Sequence, residues 1–304
     1  MQRPMEAPAA GHGNLGLIAA AVAVSAWGLA GVVAKSIDMG GVAIGAYRFT
    51  IYGVAVAGVM ALRRTPLTWH ALRAALPGGL ALGLDVAFFF SAVKETTVAN
   101  ATVIGALQPI VVAAIAARLF GERIRLRDAM LAAVALVGVF VVVLAARDAT
   151  EWSLRGDLFA LGALFSWSAY FVFSKLAKNK ITTTEYTVGA ALWCGLFNVP
   201  VALVFGQSLA WPSVSSWVGL LVLAFAAGLL GHELMNWAIQ QIPLWLGSTF
   251  TLFIPVVSAL AAWAFLDEPI TAIQIAAIGV VLLALAGIVT GQSGVGTRPR
   301  PLRR

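Results

Sequence analysis

The amino-acid sequence predicts an all-α polytopic membrane protein with ten transmembrane helices, and three observations lead to that fold class. Of the 304 residues, 61% are hydrophobic and only 11% are charged, whereas a soluble protein carries about a quarter of its residues as charges. Ten apolar stretches approach or exceed the roughly 20 helical residues that cross a bilayer. The basic residues concentrate in alternate connecting segments, as the positive-inside rule requires of a membrane protein.

The predicted helices fill almost the whole chain and leave no room for a soluble domain. Several connections are very short, such as 94–96 and 241–243, so consecutive helices are expected to be antiparallel neighbours. The ten predicted helices span residues 15–35, 43–62, 74–94, 97–118, 128–146, 156–176, 185–206, 216–240, 244–266 and 270–290. We therefore expect the lipid bilayer to surround most of the chain.

The distribution of lysine and arginine predicts that both termini, residues 1–13 and 291–304, are cytoplasmic tails. Fifteen basic residues lie in the termini and in alternate loops: Arg3, Arg63, Arg64, Arg73, Arg118, Arg123, Arg125, Arg127, Lys175, Lys178, Lys180, Arg298, Arg300, Arg303 and Arg304. The opposite set has only Lys35, Lys94, Arg147 and Arg155. Because basic loops stay on the cytoplasmic side, the larger set indicates the cytoplasmic face.

Charge and motifs exclude several classes of function. The net charge of +7 comes from basic residues between apolar stretches rather than along one face, so no nucleic-acid partner is expected. Cys194 is a single cysteine within an apolar stretch, which rules out a disulfide framework and a cysteine-based metal site. The sequence has no phosphate-binding loop of the P-loop type. We expect no cofactor, no metal and no catalytic residue.

The two parts of the chain repeat each other. Two pairs of residues recur with the same spacing. Trp27 and Lys35 correspond to Trp167 and Lys175, and Pro109 and Glu122 correspond to Pro255 and Glu268. The offsets of 140 and 146 residues align 14–146 with 153–290. Each repeat contains five predicted helices, an odd number, so the second copy is expected to be inverted in the membrane. Inverted repeats are typical of secondary transporters, whose two halves expose a central site to either side in turn.

This arrangement resembles the EamA-type repeats of the drug/metabolite transporter superfamily over nearly the whole chain, and within it the aromatic amino-acid exporters. The resemblance implies two five-helix inverted repeats around a central cavity lined by both halves. It also implies export of amino acids, aromatic and other neutral ones, or related small metabolites across a bacterial inner membrane. Since one chain supplies both halves, a monomer suffices.

Polar and ionisable side chains at membrane depth are the first candidates for a substrate site, because they are costly there. Asp85 lies near the middle of the third predicted helix. It is interpreted either as a ligand for a substrate amine or a proton-coupling carboxylate, or equally as a structural partner of Arg48. For Arg48 itself, a structural ion pair, for example with Asp38, is favoured over contact with a substrate carboxylate.

A polar stripe on the eighth predicted helix is the second candidate. His232, Glu233, Asn236 and Gln240 follow one another at helical spacing. A cavity-lining role is favoured over a purely structural ladder of hydrogen bonds, and Glu233 is a further candidate for proton coupling. The His–Glu pair is not a zinc motif, because the second histidine of H-E-x-x-H is missing.

Trp27 and Trp167 lie eight residues from the basic ends of their helices, or roughly 12 Å. That is well below the membrane interface, where tryptophan usually anchors a helix. We interpret them as an aromatic pair flanking the cavity, with close packing between the halves as the alternative. The same cavity-lining role is proposed, with less weight, for three further tryptophans: Trp193, Trp237 and Trp263.

The matched prolines, Pro109 and Pro255, are predicted to break their helices and to act as hinges rather than as inherited kinks. Gln108 beside the first, and Thr249 and Thr251 before the second, are predicted cavity donors. The terminal lysines of the first and sixth helices are expected to snorkel to the headgroups.

Two alternatives to a transporter remain open from sequence. One is an intramembrane enzyme that uses Asp85, His232 and Glu233 on a lipid or small amphiphile. The other is a non-transporting membrane scaffold. Neither has an evident use for inverted repeats.

Overall fold

The computed structural model describes residues 10–96, 98–145 and 153–293, and these residues form helices and turns without a β-strand. Ten helices within the described residues are long and apolar enough to cross a membrane, so the predicted fold class is confirmed. We number them in chain order: α1 Ala10–Lys35, α2 Gly41–Leu62, α3 Trp69–Glu95, α4 Val98–Phe120, α5 Leu126–Leu144, α6 Leu154–Ala177, α7 Thr183–Val204, α8 Val214–Gln241, α9 Leu244–Leu266 and α10 Ala272–Ser293.

Two of these helices are interrupted where the sequence places a proline. A first helical segment, Val98–Gly105, precedes Gln108–Phe120 in α4, and α9 consists of Leu244–Thr249, a 3-10 turn at Phe250–Phe253 and Ile254–Leu266. Pro109 and Pro255 are each the second residue after the interruption. Proline is well tolerated in the first turn of a helix, because the N–H it lacks would have no intrahelical partner.

Helix α8 contains an irregularity that the sequence did not predict. The segment Leu223–Gly231 has π-helical hydrogen bonding and lies between the α-helical segments Val214–Val222 and His232–Gln241. The extra residue per turn shifts the register of every later side chain on the helix. π-Helical segments within α-helices are frequent at functional sites, and His232 directly follows this segment.

Helices of the two repeats pack on each other rather than forming separate bundles. Helix α1 contacts α8 and α9, and α3 packs against α6 and α7. A Cβ atom on Gly79 would come within 2.4 Å of the Trp193 Cβ atom, so this glycine allows α3 to approach α7 closely. Small residues play this role between membrane helices.

The outer surface of the bundle is apolar, with exposed side chains such as Ile18, Val54, Val137 and Leu283. This surface fits a surrounding bilayer. Most residues of both tails lie outside the described residues. So do six of the basic residues that were used to predict the orientation: Arg3, Arg147, Arg298, Arg300, Arg303 and Arg304. The cytoplasmic location of the termini therefore stays a prediction.

Short connections make successive helices alternate in direction. Helix α1 ends at one face of the bundle with Lys35, and α6 ends at the opposite face with Lys175. We call these the Lys35 face and the Lys175 face.

Candidate functional site

Aromatic rings from both repeats meet near the centre of the bundle. We call this group the central aromatic cluster, and its members are Trp27, Phe49, Trp167, Tyr170, Phe171 and His232. The ring centroids of Trp27 and Trp167 are 5.1 Å apart at an interplanar angle of 70°, and those of Trp27 and His232 are also 5.1 Å apart. Edge-to-face contacts at these distances are favourable. Helices α1, α2, α6 and α8 thus converge on one point.

The structure brings Trp27 and Trp167 together, but their rings touch instead of standing on two sides of an open space. Trp27 also contacts the π-helical segment of α8. Trp27 Nε1 donates a hydrogen bond to the Ala227 carbonyl oxygen at 3.0 Å, and a Cβ atom on Gly231 would lie 2.6 Å from Trp27 Nε1. Any residue larger than glycine would push the indole away.

The polar stripe of α8 is hydrogen-bonded to α6 and α7. The Tyr170 hydroxyl lies 3.1 Å from His232 Nδ1, and Asn236 Nδ2 donates to the Tyr170 hydroxyl at 2.7 Å and to Thr187 Oγ1 at 3.0 Å. His232 and Asn236 are almost wholly buried. Hydrogen bonding of this kind lowers the cost of polar groups at membrane depth, and it fixes the orientation of both side chains.

Three acceptor atoms of this stripe have no partner within the described part of the chain; one is on Gln240, and the other two are on Glu233 and Asn236. Glu233 Oε1 accepts a hydrogen bond from Thr184 Oγ1 at 2.6 Å, but Glu233 Oε2 is buried and unpaired. Asn236 Oδ1 is likewise buried and has no hydrogen-bond partner among the described residues. Buried polar atoms are nearly always satisfied, so these two oxygens are available to a donor group of a ligand.

Arg48 and Asp85 both lie at membrane depth beside the cluster. The predicted ion pair of Arg48 with Asp38 is wrong, because the described residues contain no carboxylate within 4 Å of its guanidinium. The guanidinium instead lies over the Phe49 ring, 4.6 Å from its centroid. It remains close enough to Asp85 and His232 to interact with them electrostatically.

The interrupted helices α4 and α9 are joined at their interruptions. Thr251 Oγ1 lies 2.9 Å from Gln108 Oε1 and 2.6 Å from the Ser248 carbonyl oxygen of its own helix, and either oxygen can accept its hydrogen bond. Gln108 Nε2 is buried without a partner among the described residues. Thr249 donates to the Trp245 carbonyl oxygen of its own helix. Of the predicted donors, Gln108 and Thr251 therefore contact each other, and Thr249 is internally satisfied.

Sequence reasoning missed a buried network at the Lys175 face. Lys175 Nζ donates to the carbonyl oxygens of Ile239 and Ile242 and lies 4.0 Å from Glu122 Oε1. The Glu122 carboxylate accepts hydrogen bonds from the backbone N–H groups of Leu244 at 2.8 Å and Trp245 at 3.1 Å. The expected snorkelling of Lys175 is wrong, because its side chain is only 14% exposed.

The opposite face has a related ion pair. Lys35 Nζ lies 2.6 Å from Glu268 Oε1, and the two side chains are 62% and 51% exposed. Lys35 and Glu268 occupy the repeat positions of Lys175 and Glu122. Each pair therefore joins the first helix of one repeat to the end of the fourth helix of the other, at opposite faces. The matched spacings in the sequence were the signal for these residues.

The three other tryptophans lie outside the cluster. Trp263 is 58% exposed on the outer surface, so it is not a cavity residue. Trp193 Nε1 donates to the Leu72 carbonyl oxygen at 2.9 Å and ties α7 to α3. Trp237 lines a separate cavity at the Lys175 face. Within the described residues, no group of three His, Cys, Asp or Glu side chains is placed to hold a metal ion.

Comparison with known proteins identifies the family. A model of the EamA-like transporter family matches residues 14–144 and, a second time, residues 154–290. The chain belongs to the EamA-like transporter family. This EamA-like protein is therefore a membrane transporter and not an enzyme, and the alternative of an intramembrane enzyme built on Asp85, His232 and Glu233 is excluded.

Named relatives of this EamA-like chain are bacterial. It is 27% identical to a probable amino-acid metabolite efflux pump of Salmonella typhimurium over 92% of this chain and 95% of that protein. It is 25% identical to the threonine/homoserine exporter RhtA of Escherichia coli over 69% of this chain and 68% of that protein. A solved crystal structure has the same fold, with a TM-score of 0.78 and 23% identity over 90% of this chain and 97% of that one.

Proposed function

We propose that this protein exports amino acids, aromatic and other neutral ones, or related small metabolites across a bacterial inner membrane by alternating access. The relatives named as an efflux pump and an exporter support the direction of transport and the class of substrate. Each chain contains both repeats, so the proposed unit is a monomer. The two family matches support two repeats, and the odd number of helices in each supports an inverted second repeat.

The observation that carries the substrate class is the convergence of aromatic rings and polar groups from both repeats. Trp27 and Trp167 offer ring faces for an aromatic or aliphatic side chain once the halves move apart. The unpaired oxygens of Glu233 and Asn236 are suited to a substrate ammonium group, and the Arg48 guanidinium is suited to a carboxylate.

Alternating access is supported by the two corresponding ion pairs, Lys35–Glu268 and Lys175–Glu122. In the proposed cycle, separation of Lys175 from Glu122 opens one face while Lys35 and Glu268 keep the other closed, and the reverse exchange follows. The interruptions before Pro109 and Pro255 are the proposed hinges, and each lies in the helix that leads to the glutamate of one pair. The concentration of basic residues supports a cytoplasmic orientation of the Lys175 face.

Excretion from cells tests the direction of transport. Bacteria that overproduce the protein are expected to release amino acids into the medium faster than cells that produce a Trp27→Ala variant at the same membrane level. The two strains differ by one side chain of the central aromatic cluster. Equal amino-acid release from both strains and from cells without the protein would contradict export.

Substitution of Asp85 by asparagine separates the two interpretations of this residue. The described residues contain neither an ion pair nor a hydrogen bond to the Asp85 carboxylate, and a charge at membrane depth costs about 2.5–3.5 kcal/mol. We expect Asp85→Asn to leave the thermal unfolding midpoint unchanged or raise it, and to lower transport at least about tenfold. A lower midpoint with normal transport would show instead that Asp85 is a structural partner of Arg48.

A further inference from the structure

A polar cavity lies at the Lys175 face, between α6, α7 and α8. Its volume is about 230 Å³, and its walls include Ser174, Lys178, Tyr186, Trp237 and Gln240. Because all three helices belong to the second repeat, the cavity does not require the two halves to separate. It is smaller than the roughly 300–1,000 Å³ typical of sites for drug-sized molecules, which suits a ligand the size of one amino acid.

The polar groups of this cavity are incompletely satisfied. Ser174 Oγ and Gln240 Oε1 are buried and have no hydrogen-bond partner among the described residues. The amide of Gln240 is fixed in orientation, since Nε2 donates to the Ser174 carbonyl oxygen at 2.8 Å. Lys178 Nζ donates to the Gln240 carbonyl oxygen at 2.5 Å, which holds the ammonium group at the same wall. Native proteins rarely leave two such atoms unpaired side by side.

Two aromatic side chains also line the cavity. Trp237 and Tyr186 line the cavity, and both are partly apolar side chains with a polar end. The cavity thus combines an ammonium group, a hydroxyl, an amide oxygen and aromatic rings, and these groups match the parts of an α-amino acid. A carboxylate requires donors, an ammonium group requires an acceptor, and a side chain requires an apolar wall.

We propose that this cavity, which we call the entry cavity, binds the amino-acid substrate before it reaches the central aromatic cluster. Lys178 Nζ and Ser174 Oγ bind the carboxylate, Gln240 Oε1 accepts from the ammonium group, and Trp237 packs against the side chain. This inference rests on the proposed export of amino acids and names a loading site for it.

The position of the entry cavity links it to both elements of the proposed cycle. Ser174 directly precedes Lys175, whose ammonium group is bound to carbonyl oxygens on either side of Gln240 in the chain. On its inner side, Tyr186 donates its hydroxyl to the Tyr170 carbonyl oxygen at 3.0 Å, and the two rings are 5.9 Å apart. A substrate in the entry cavity therefore adjoins the ion pair that closes this face and the wall of the central cluster.

Transport kinetics test the proposal in inside-out membrane vesicles, where the cytoplasmic face is outside. We expect Ser174→Ala and Lys178→Gln each to raise the KM for L-phenylalanine about tenfold, with maximal rate changed less than about twofold. Loss of Ser174 Oγ breaks no hydrogen bond found in the structure, so the fold is preserved. Lys180→Gln is the matched control, because it removes an exposed cation two residues from Lys178.

Direct binding separates a failure of this inference from a failure of the proposed function. Purified Trp167→Ala protein is titrated with tritiated L-phenylalanine, so that the central cluster is impaired and the entry cavity is intact. Saturable binding that Ser174→Ala weakens about tenfold supports the loading site, even if vesicles show no transport. Unchanged KM in both vesicle variants, or no binding to Trp167→Ala protein that thermal unfolding shows to be folded, overturns it.

Discussion

Replacement of Trp167 by alanine is expected to reduce amino-acid exchange by a factor of at least about 100. Trp167 contacts Trp27, Tyr170, Phe171 and His232, so its loss removes ring contacts throughout the central aromatic cluster, including the one with Trp27 of the other half. Truncation of a packed aromatic side chain costs about 3–5 kcal/mol, and the same surface is proposed to receive the substrate. The measurement is the initial rate of exchange in proteoliposomes at equal protein content.

Two control variants distinguish loss of the site from loss of the fold. Trp263→Ala removes the same side chain from the exposed outer surface and is expected to keep more than about half of the wild-type rate. Trp167→Phe keeps a ring in the cluster and is expected to recover most of the stability but to change the preference among aromatic substrates. If Trp167→Ala and Trp263→Ala lower the rate equally, the central cluster is not the substrate site.

Glu122→Gln is expected to destabilise the closed Lys175 face far more than Glu268→Gln destabilises the Lys35 face. The Glu122 carboxylate accepts two backbone hydrogen bonds and faces a buried lysine. Loss of one charge-assisted hydrogen bond costs about 1.5–3 kcal/mol, and Lys175 loses its counter-ion as well. Exposed ion pairs such as Lys35–Glu268 contribute about 0–1 kcal/mol.

The two variants are compared by thermal unfolding in detergent and by transport rate. A drop in unfolding midpoint of several degrees for Glu122→Gln, against no resolved change for Glu268→Gln, agrees with this asymmetry. Transport by Glu122→Gln is expected to fall at least about tenfold, because one closed state is lost from the cycle. Equal effects of the two substitutions would show that the buried network has no special part in closing the Lys175 face.

The sequence predicted the helices and several members of the site because the cost of polar atoms in lipid leaves a clear signal. Asp85, His232, Glu233 and Asn236 stand out within apolar helices for that reason. The matched pairs ending at Lys175 and Glu122 also marked the repeat before any contact was known. These sequence signals did not indicate which side chains contact each other in the folded protein.

The rest depends on tertiary packing. Phe49 and Tyr170 look like ordinary apolar helix residues in the sequence, and only the crossing of four helices places their rings against His232. The π-helical segment of α8 has a uniformly apolar sequence, so its altered hydrogen bonding has no compositional mark. Lys175 is buried because carbonyl oxygens at the end of α8 come within its reach, which helix periodicity does not specify.

Counterflow in proteoliposomes tests the central claim most directly. Vesicles with purified wild-type protein are loaded with unlabelled L-phenylalanine or L-threonine and diluted into a trace of the labelled amino acid. A carrier that alternates between two faces is expected to accumulate label transiently above its equilibrium level, and empty vesicles are not. Absence of this overshoot across a panel of neutral amino acids, with protein shown to be folded and inserted, would contradict amino-acid exchange by alternating access.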